Sequence, residues 1–185
     1  RHPRCREVSW ARRCVYETAT DGCPRPDSSL EALAGLKPAF DAEGSIAAGT
    51  SSPLTDGAAA VLVTSADYAR RHKLTVMAHI RATAVSGCAP EIMGIGPIEA
   101  TRKALYRAGL GLGQMDPVEL NEAFAALSLA VLAELGLSPA SVNLAGGAIA
   151  LGNPLGASGA RITGQAAALP QRAGGRYALA TMWIG

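Results

Sequence analysis

Residues 146–161 read GGAIALGNPLGASGAR. Five glycines, one proline and the small polar side chains of Asn153 and Ser158 crowd into this stretch, with Asn143 just ahead of it. Glycine has no Cβ, so such a run lets the backbone come close to a ligand or to another element. The residues that follow, ASGARITGQAAAL, are compatible with helix. The pattern predicts a tight loop feeding a helix N-terminus, a geometry suited to anions and polar transition states. No Lys follows the glycines, so this is not a phosphate loop of the GxxxxGK[ST] type. Nor is there a GxGxxG in a strand–turn–helix context.

Working outward, strands and helices alternate on both sides. SLEALAGL, ahead of Pro38, reads as a short helix that Ser28 or Ser29 caps. The near-continuous apolar run 58–65 reads as a buried strand. Residues 66–72 form a short helix and 76–87 an alternating strand. Residues 96–109 form a helix started by Pro97 and stopped by Gly109. A strand at 117–121, a helix at 122–136, a strand at 141–146, a helix at 157–169 and a strand at 176–184 complete the series. The fold class is therefore α/β, a mainly parallel mixed sheet flanked by helices. Sites in such sheets gather at the carboxyl ends of strands. Asn121, the 146–158 loop and Trp183 all stand at such ends.

Composition supports one domain. The chain has 185 residues, 49% of them hydrophobic, with few aromatics, and a net charge of +2. That length gives a sizeable core, and the balance of charge does not point to nucleic acid. Arg1, Arg4, Arg6, Arg12 and Arg13 make a local basic excess, read as a solvated terminus rather than a binding tail. The first residue is not Met, which points to processing or to a piece of a longer chain. No apolar run reaches the ~18 residues of a membrane span, and no secretory segment is visible. Cys5, Cys14, Cys23 and Cys88 match neither metal nor redox-pair spacing. They read as free thiols in a reducing, cytoplasmic compartment, and no metal site is expected.

The 146–161 run resembles the active-site loop of the thiolase family, GGAIALGHPxGxSGxR, with Asn153 where the family has a histidine. NEAFA at 121–125 resembles the family's second active-site segment. GTSSPLTDGAAAVLVTS at 49–65 is similar to the opening of its C-terminal domain, which contacts coenzyme A. RPDSSLEALAGLKPAF at 25–40 is similar to the end of its substrate-covering loop region. ATMWIG at 180–185 is similar to the strand of its second cysteine, whose place Trp183 takes. Residues 1–24 then stand outside the match, 25–43 end the loop region, and 44–185 form the C-terminal domain. The family sheet runs on past CxGGGxG, so a sequence that stops at Gly185 implies a missing last strand. The bare edge would be covered by a partner or a dimer contact.

The resemblance also implies roles. Asn121 matches the asparagine that orients a water in an oxyanion hole, a task for an amide that donates without titrating. It also reads as an N-cap of the 122–136 helix, whose first turn would hold Glu122 near the helix dipole. Asn153 would keep part of an oxyanion hole without acting as a base; alternatively it is a turn residue before Pro154. Trp183 would fill the acyl pocket, or simply pack a core. Ser52 matches a serine that contacts the pantetheine arm, or is an ordinary turn serine. Gly156, Ser158 and Gly159 would shape the backbone near the thioester, while Gly146 and Gly147 permit close packing. His72 and His79 match no catalytic position.

Acyl transfer between acyl-CoA molecules is the activity implied: thiolysis of a 3-ketoacyl-CoA, or the reverse condensation. The ligand is acyl-CoA or CoA, as substrate rather than cofactor. No NxxCxSG-like nucleophile segment occurs in the sequence. With Asn153 and Trp183 also departing from the pattern, the chain alone is expected to be inactive. Its partners would be further copies of itself or a complementary thiolase N-terminal half. The competing expectations are a non-catalytic CoA-binding or assembly protein, or a remnant without function.

Overall fold

The computed structural model describes residues 21–183, without the side chains of 171–173. The basic terminus, Cys5 and Cys14 lie outside the described residues. At the centre is strand β1 (Val118–Leu120), whose three residues are all buried. It pairs in parallel with β2 (Leu179–Thr181), Val118 against Leu179 and Leu120 against Thr181. On its other side Val118 makes a single parallel bridge to Val142. A strand buried on both faces is what a parallel α/β sheet needs.

Helix α1 spans Leu30–Ala34 and is capped by the Ser29 hydroxyl, which accepts from the Ala32 amide. Helix α2 spans Ala66–Arg71 and is capped in the same way by Ser65. Helix α3 (Gly96–Ala108) has Pro97 in its first turn and ends on Gly109 at φ 66°. Helix α4 (Ala125–Leu135) ends likewise on Gly136, also at φ 66°. Both glycines hold the left-handed conformation that closes a helix cheaply only without a Cβ. One turn, α5 (Ala148–Leu151), precedes the long α6 (Leu155–Ala173).

α3 and α4 cover one face of the sheet, where Ile98, Leu120 and Val131 form the buried core with Ile95, Leu135 and Val142 around it. The Thr101 hydroxyl of α3 donates to that of Thr181 at 3.2 Å. α6 packs against both strands on the other face. Asp116 fixes the entry to β2: its Oδ2 accepts from the amides of Arg176 (2.5 Å) and Tyr177 (3.1 Å).

Several expectations are corrected here. Residues 58–65 and 76–87 belong to no strand, so His79 lies in none either. A strand needs a ladder partner, and neither segment has a ladder or bridge to any other among the described residues. The apolar side chains of these segments stay exposed, Leu62 by 80% and Ile80 by 65%. The strand at 141–146 shrinks to the bridge at Val142, because Asn143 turns the chain at φ 52°. The 122–136 helix starts three residues late, capped at Phe124. Thus Asn121 is not its N-cap and Glu122 is not in its first turn. α6 overruns its expected limits at both ends and contains Pro170. Proline there forfeits one donor, yet its carbonyl accepts from the Gly175 amide at 2.9 Å.

Candidate active site

Asn153, 8% exposed, is the hub. Its Nδ2 donates to the Ser52 hydroxyl at 3.3 Å. Its Oδ1 accepts from the Ser158 hydroxyl at 2.7 Å. Its backbone amide donates to Thr55 Oγ1 at 3.2 Å. Ser158 is fully buried in the first turns of α6, and its hydroxyl also lies 3.2 Å from the Pro154 carbonyl. Two predicted site residues, Ser52 and Ser158, are therefore joined through a third. The amide is held by both ends, so its orientation is set by two hydroxyls from distant parts of the chain.

The backbone makes this approach possible. Gly152 sits at φ 99°, and a Cβ there would run into the Thr55 side chain. A Cβ on Gly57 would stand 2.7 Å from Pro154 Cγ. The 49–57 segment thus lies directly against the glycine-rich loop, with a parallel bridge between Leu54 and Asn153. It also reaches the 121–125 segment: the Ser52 amide donates to the Ala123 carbonyl at 2.9 Å, and Ser51 bridges Phe124. A depression of ≈ 290 Å³ opens beside Asn153, lined by Leu54, Thr55, Asp56, Asn153 and Leu155.

Asn121 and Trp183 lie outside this hydrogen-bonded group. Asn121 is 4% exposed; its amide donates to the Thr181 carbonyl at 3.1 Å. Its Oδ1 is buried and finds no hydrogen-bond partner among the described residues. Trp183, half-buried two residues beyond β2, lies beside the start of α3. A Cβ on Gly96 would be 3.9 Å from Trp183 Cβ and 3.6 Å from Cys88 Sγ. Gly156 is exposed, and a Cβ there would meet nothing. His72 closes α2 and stacks on Tyr68 with ring centroids 4.1 Å apart.

Sequence reasoning missed two residues here. Thr55 anchors the Asn153 amide, and Glu122 ties two segments together. Glu122 Oε1 accepts from Asn143 Nδ2 at 2.7 Å, and Oε2 from the Ile149 amide at 3.2 Å. Paired glycines at 146 and 147 were the available signal, since a bare backbone invites a side chain from elsewhere. A Cβ on Gly147 would collide with the Glu122 carboxylate.

Below the site, β1 and α6 share a buried polar layer. Glu119 is 1% exposed, and neither carboxylate oxygen has a hydrogen-bond partner among the described residues. Arg161 and Gln165 on α6 hold buried donors that are likewise unpartnered among the described residues. The Gln165 amide comes near the carboxylate without closing a well-formed bond. Burial raises the Glu119 carboxyl above its ordinary range, and the Arg161 charge and Gln165 pull it partly back.

The comparisons decide the family. The thiolase C-terminal domain model matches residues 74–185 and the N-terminal domain model residues 11–67. The chain belongs to the thiolase family. It is 51% identical over 179 residues to 3-ketoacyl-CoA thiolase of Shewanella frigidimarina, covering 95% of this chain and 46% of that protein. The corresponding protein of Aliivibrio salmonicida is 53% identical over 165 residues, covering 87% and 43%. The human mitochondrial 3-ketoacyl-CoA thiolase structure matches with a TM-score of 0.83 at 43% identity, covering 90% of this chain and 42% of that one. A structure of that enzyme in complex with CoA matches equally well. Bacillus anthracis acetyl-CoA acetyltransferase matches with a TM-score of 0.86, also at 43% identity. The fold is therefore that of thiolases, and the chain spans less than half the length of the curated relatives it matches. No helix among the described residues is long and apolar enough to cross a membrane.

Proposed function

We propose that this chain carries the CoA-facing half of a thiolase-type acyl-CoA C-acyltransferase site, acting on a 3-ketoacyl-CoA or, in reverse, on acetyl-CoA. The observation that carries the reading is the Ser52–Asn153–Ser158 chain of hydrogen bonds beside the glycine-rich loop. Ser52 would meet the pantetheine arm, and Gly156 and Ser158 the thioester end. Asn121, whose buried Oδ1 is unpartnered, would hold a water near the thioester oxygen. CoA enters as substrate, and the free thiols Cys23 and Cys88 suit a reducing, cytoplasmic setting.

The same residues argue that the chain by itself binds without turnover. An amide at 153 donates a hydrogen bond but takes no proton near pH 7, and an indole at 183 moves none. Isothermal titration with CoA and acetyl-CoA should show saturable binding, and acetoacetyl-CoA thiolysis by the purified chain should be absent. Measured thiolysis would overturn the inactivity. Absence of binding would leave a remnant. Paired with a nucleophile-bearing thiolase N-terminal half, Asn153→His should raise turnover by ~10²–10⁴-fold, the usual worth of a general base. No gain would sink the assignment of position 153.

A second reading, assembly with a partner, is supported by the exposed apolar side chains of 58–65 and 76–87. The partner would be another copy or the complementary N-terminal half. Co-purification with a chain bearing an NxxCxSG-like segment would favour the latter.

A further inference from the structure

We infer that Glu122 is the positioning residue of this site: its carboxylate sets where the glycine-rich loop lies, and so where Asn153 points. The inference uses the site proposed above but stands on its own geometry. Glu122 bridges two segments that approach from different directions. Through Oε1 it accepts from Asn143 Nδ2, and through Oε2 from the Ile149 amide, the second residue of α5. Asn143 is itself fixed to the sheet. Its Oδ1 accepts from the Leu120 amide at 2.9 Å, and its Nδ2 also donates to the Leu120 carbonyl at 2.8 Å. The side chain thus copies a neighbouring strand at the end of β1. One rigid element, β1, is connected through Asn143 and Glu122 to the first turn of α5.

From Ile149 the chain runs four residues to Asn153. α5 closes on Gly152, whose amide donates to the Ala148 carbonyl at 2.9 Å. The path leaves little slack: one helical turn, one positive-φ glycine, then the hub. A carboxylate suits this task because it accepts at both oxygens and offers no donor to either side. Hydrogen bonds from backbone and side-chain amides to a charged acceptor are also among the stronger ones. Gly147 is the complement: its missing Cβ is the space the carboxylate occupies. Its own φ of −100° is open to any residue, and the nearest atoms a side chain there would meet are those of the carboxylate.

The test compares Glu122→Gln, Gly147→Ala and their combination by hydrogen exchange on the free chain, with CoA titration alongside. Gln offers one acceptor where Glu offers two. Alanine at 147 pushes the carboxylate out of place without straining the backbone. Each single change should speed exchange of the Ile149 and Asn153 amides tenfold or more, while the Leu179 and Val131 amides keep their protection. The double variant should be no worse than either single, because both break one device. Uniform acceleration at all four amides would reduce Glu122 to a general stabiliser and overturn the inference, as would unchanged rates at 149 and 153, or additive effects. Asn143→Asp, which turns a donor toward the carboxylate into an acceptor, is the second route should Gly147→Ala fail to fold, and the same local pattern is expected. Exchange reads the free chain, so a wild type that does not bind CoA defeats the proposed function and leaves this inference standing. In a wild type that does bind, Glu122→Gln should weaken CoA about tenfold.

Discussion

At the scale of the residue, substitution and context act together at position 153. The asparagine there is not a loosely held side chain, because both ends of its amide are engaged, by Ser52 and by Ser158. Ser158 is wholly buried, so Ser158→Ala would leave the Asn153 carbonyl without its 2.7 Å donor. A buried acceptor stripped of its partner costs about 1–3 kcal/mol. Urea denaturation of Ser158→Ala should show a loss in that range, and a neutral result would mean that Asn153 re-pairs elsewhere. The identities of Ser52, Asn153 and Ser158 were legible in the sequence through the glycine-rich pattern and the family resemblance. Their partnership was not, since nothing in local spacing says that residues 52 and 153 touch. Glu122 was misread for a related reason. A carboxylate after a strand and before an apolar run has the look of a first-turn acid, but a stronger pair of donors lay across the fold.

At the scale of the element, capping chemistry carried through well. Ser29, Pro97, Gly109 and Gly136 stand where local rules put them, because caps are decided by a few adjacent residues. Strands fared worse, since pairing depends on a distant partner. Residues 58–65 have every local property of a buried strand and no ladder. The core face of β1 gives a plain test. Leu120→Ala removes a 3%-exposed side chain from the Ile98–Val131 cluster, and thermal or urea unfolding should register about 2–5 kcal/mol. The opposite face gives a pH test. Glu119 has its carboxyl raised, chiefly by burial. Its contribution is therefore full below the ordinary carboxylate range and is lost as pH rises through the raised value. Asp116 is lowered, chiefly by the Arg176 amide and then by that of Tyr177. Its contribution is full above the ordinary range and is lost as pH falls through the lowered value. Relative to wild type, Glu119→Gln should therefore look best at neutral pH and Asp116→Asn best in acid. Urea midpoints from pH 3 to 7 would show it, and parallel curves would refute both assignments.

At the scale of the whole molecule, the exposed apolar side chains stand out against a net charge of only +2. Leu62 and Ile80 are 80% and 65% exposed, so replacing them gives up little burial. Leu62→Asp with Ile80→Asp should shift stability by no more than about 0.5 kcal/mol each, as surface changes do. Sedimentation velocity should meanwhile show less concentration-dependent association than in wild type. Association that persists unchanged would place the contact elsewhere.

The hydrogen bond between Asn153 and Ser52 spans 101 residues, and that separation is also an interval of time. On a ribosome adding roughly 5–20 residues each second, the 49–57 segment emerges about 5–20 seconds before the loop that completes it. Until then Ser52 and Thr55 have no Asn153 to hold. The sheet closes later still, because β2 emerges after Asn153 and only then can pair with β1.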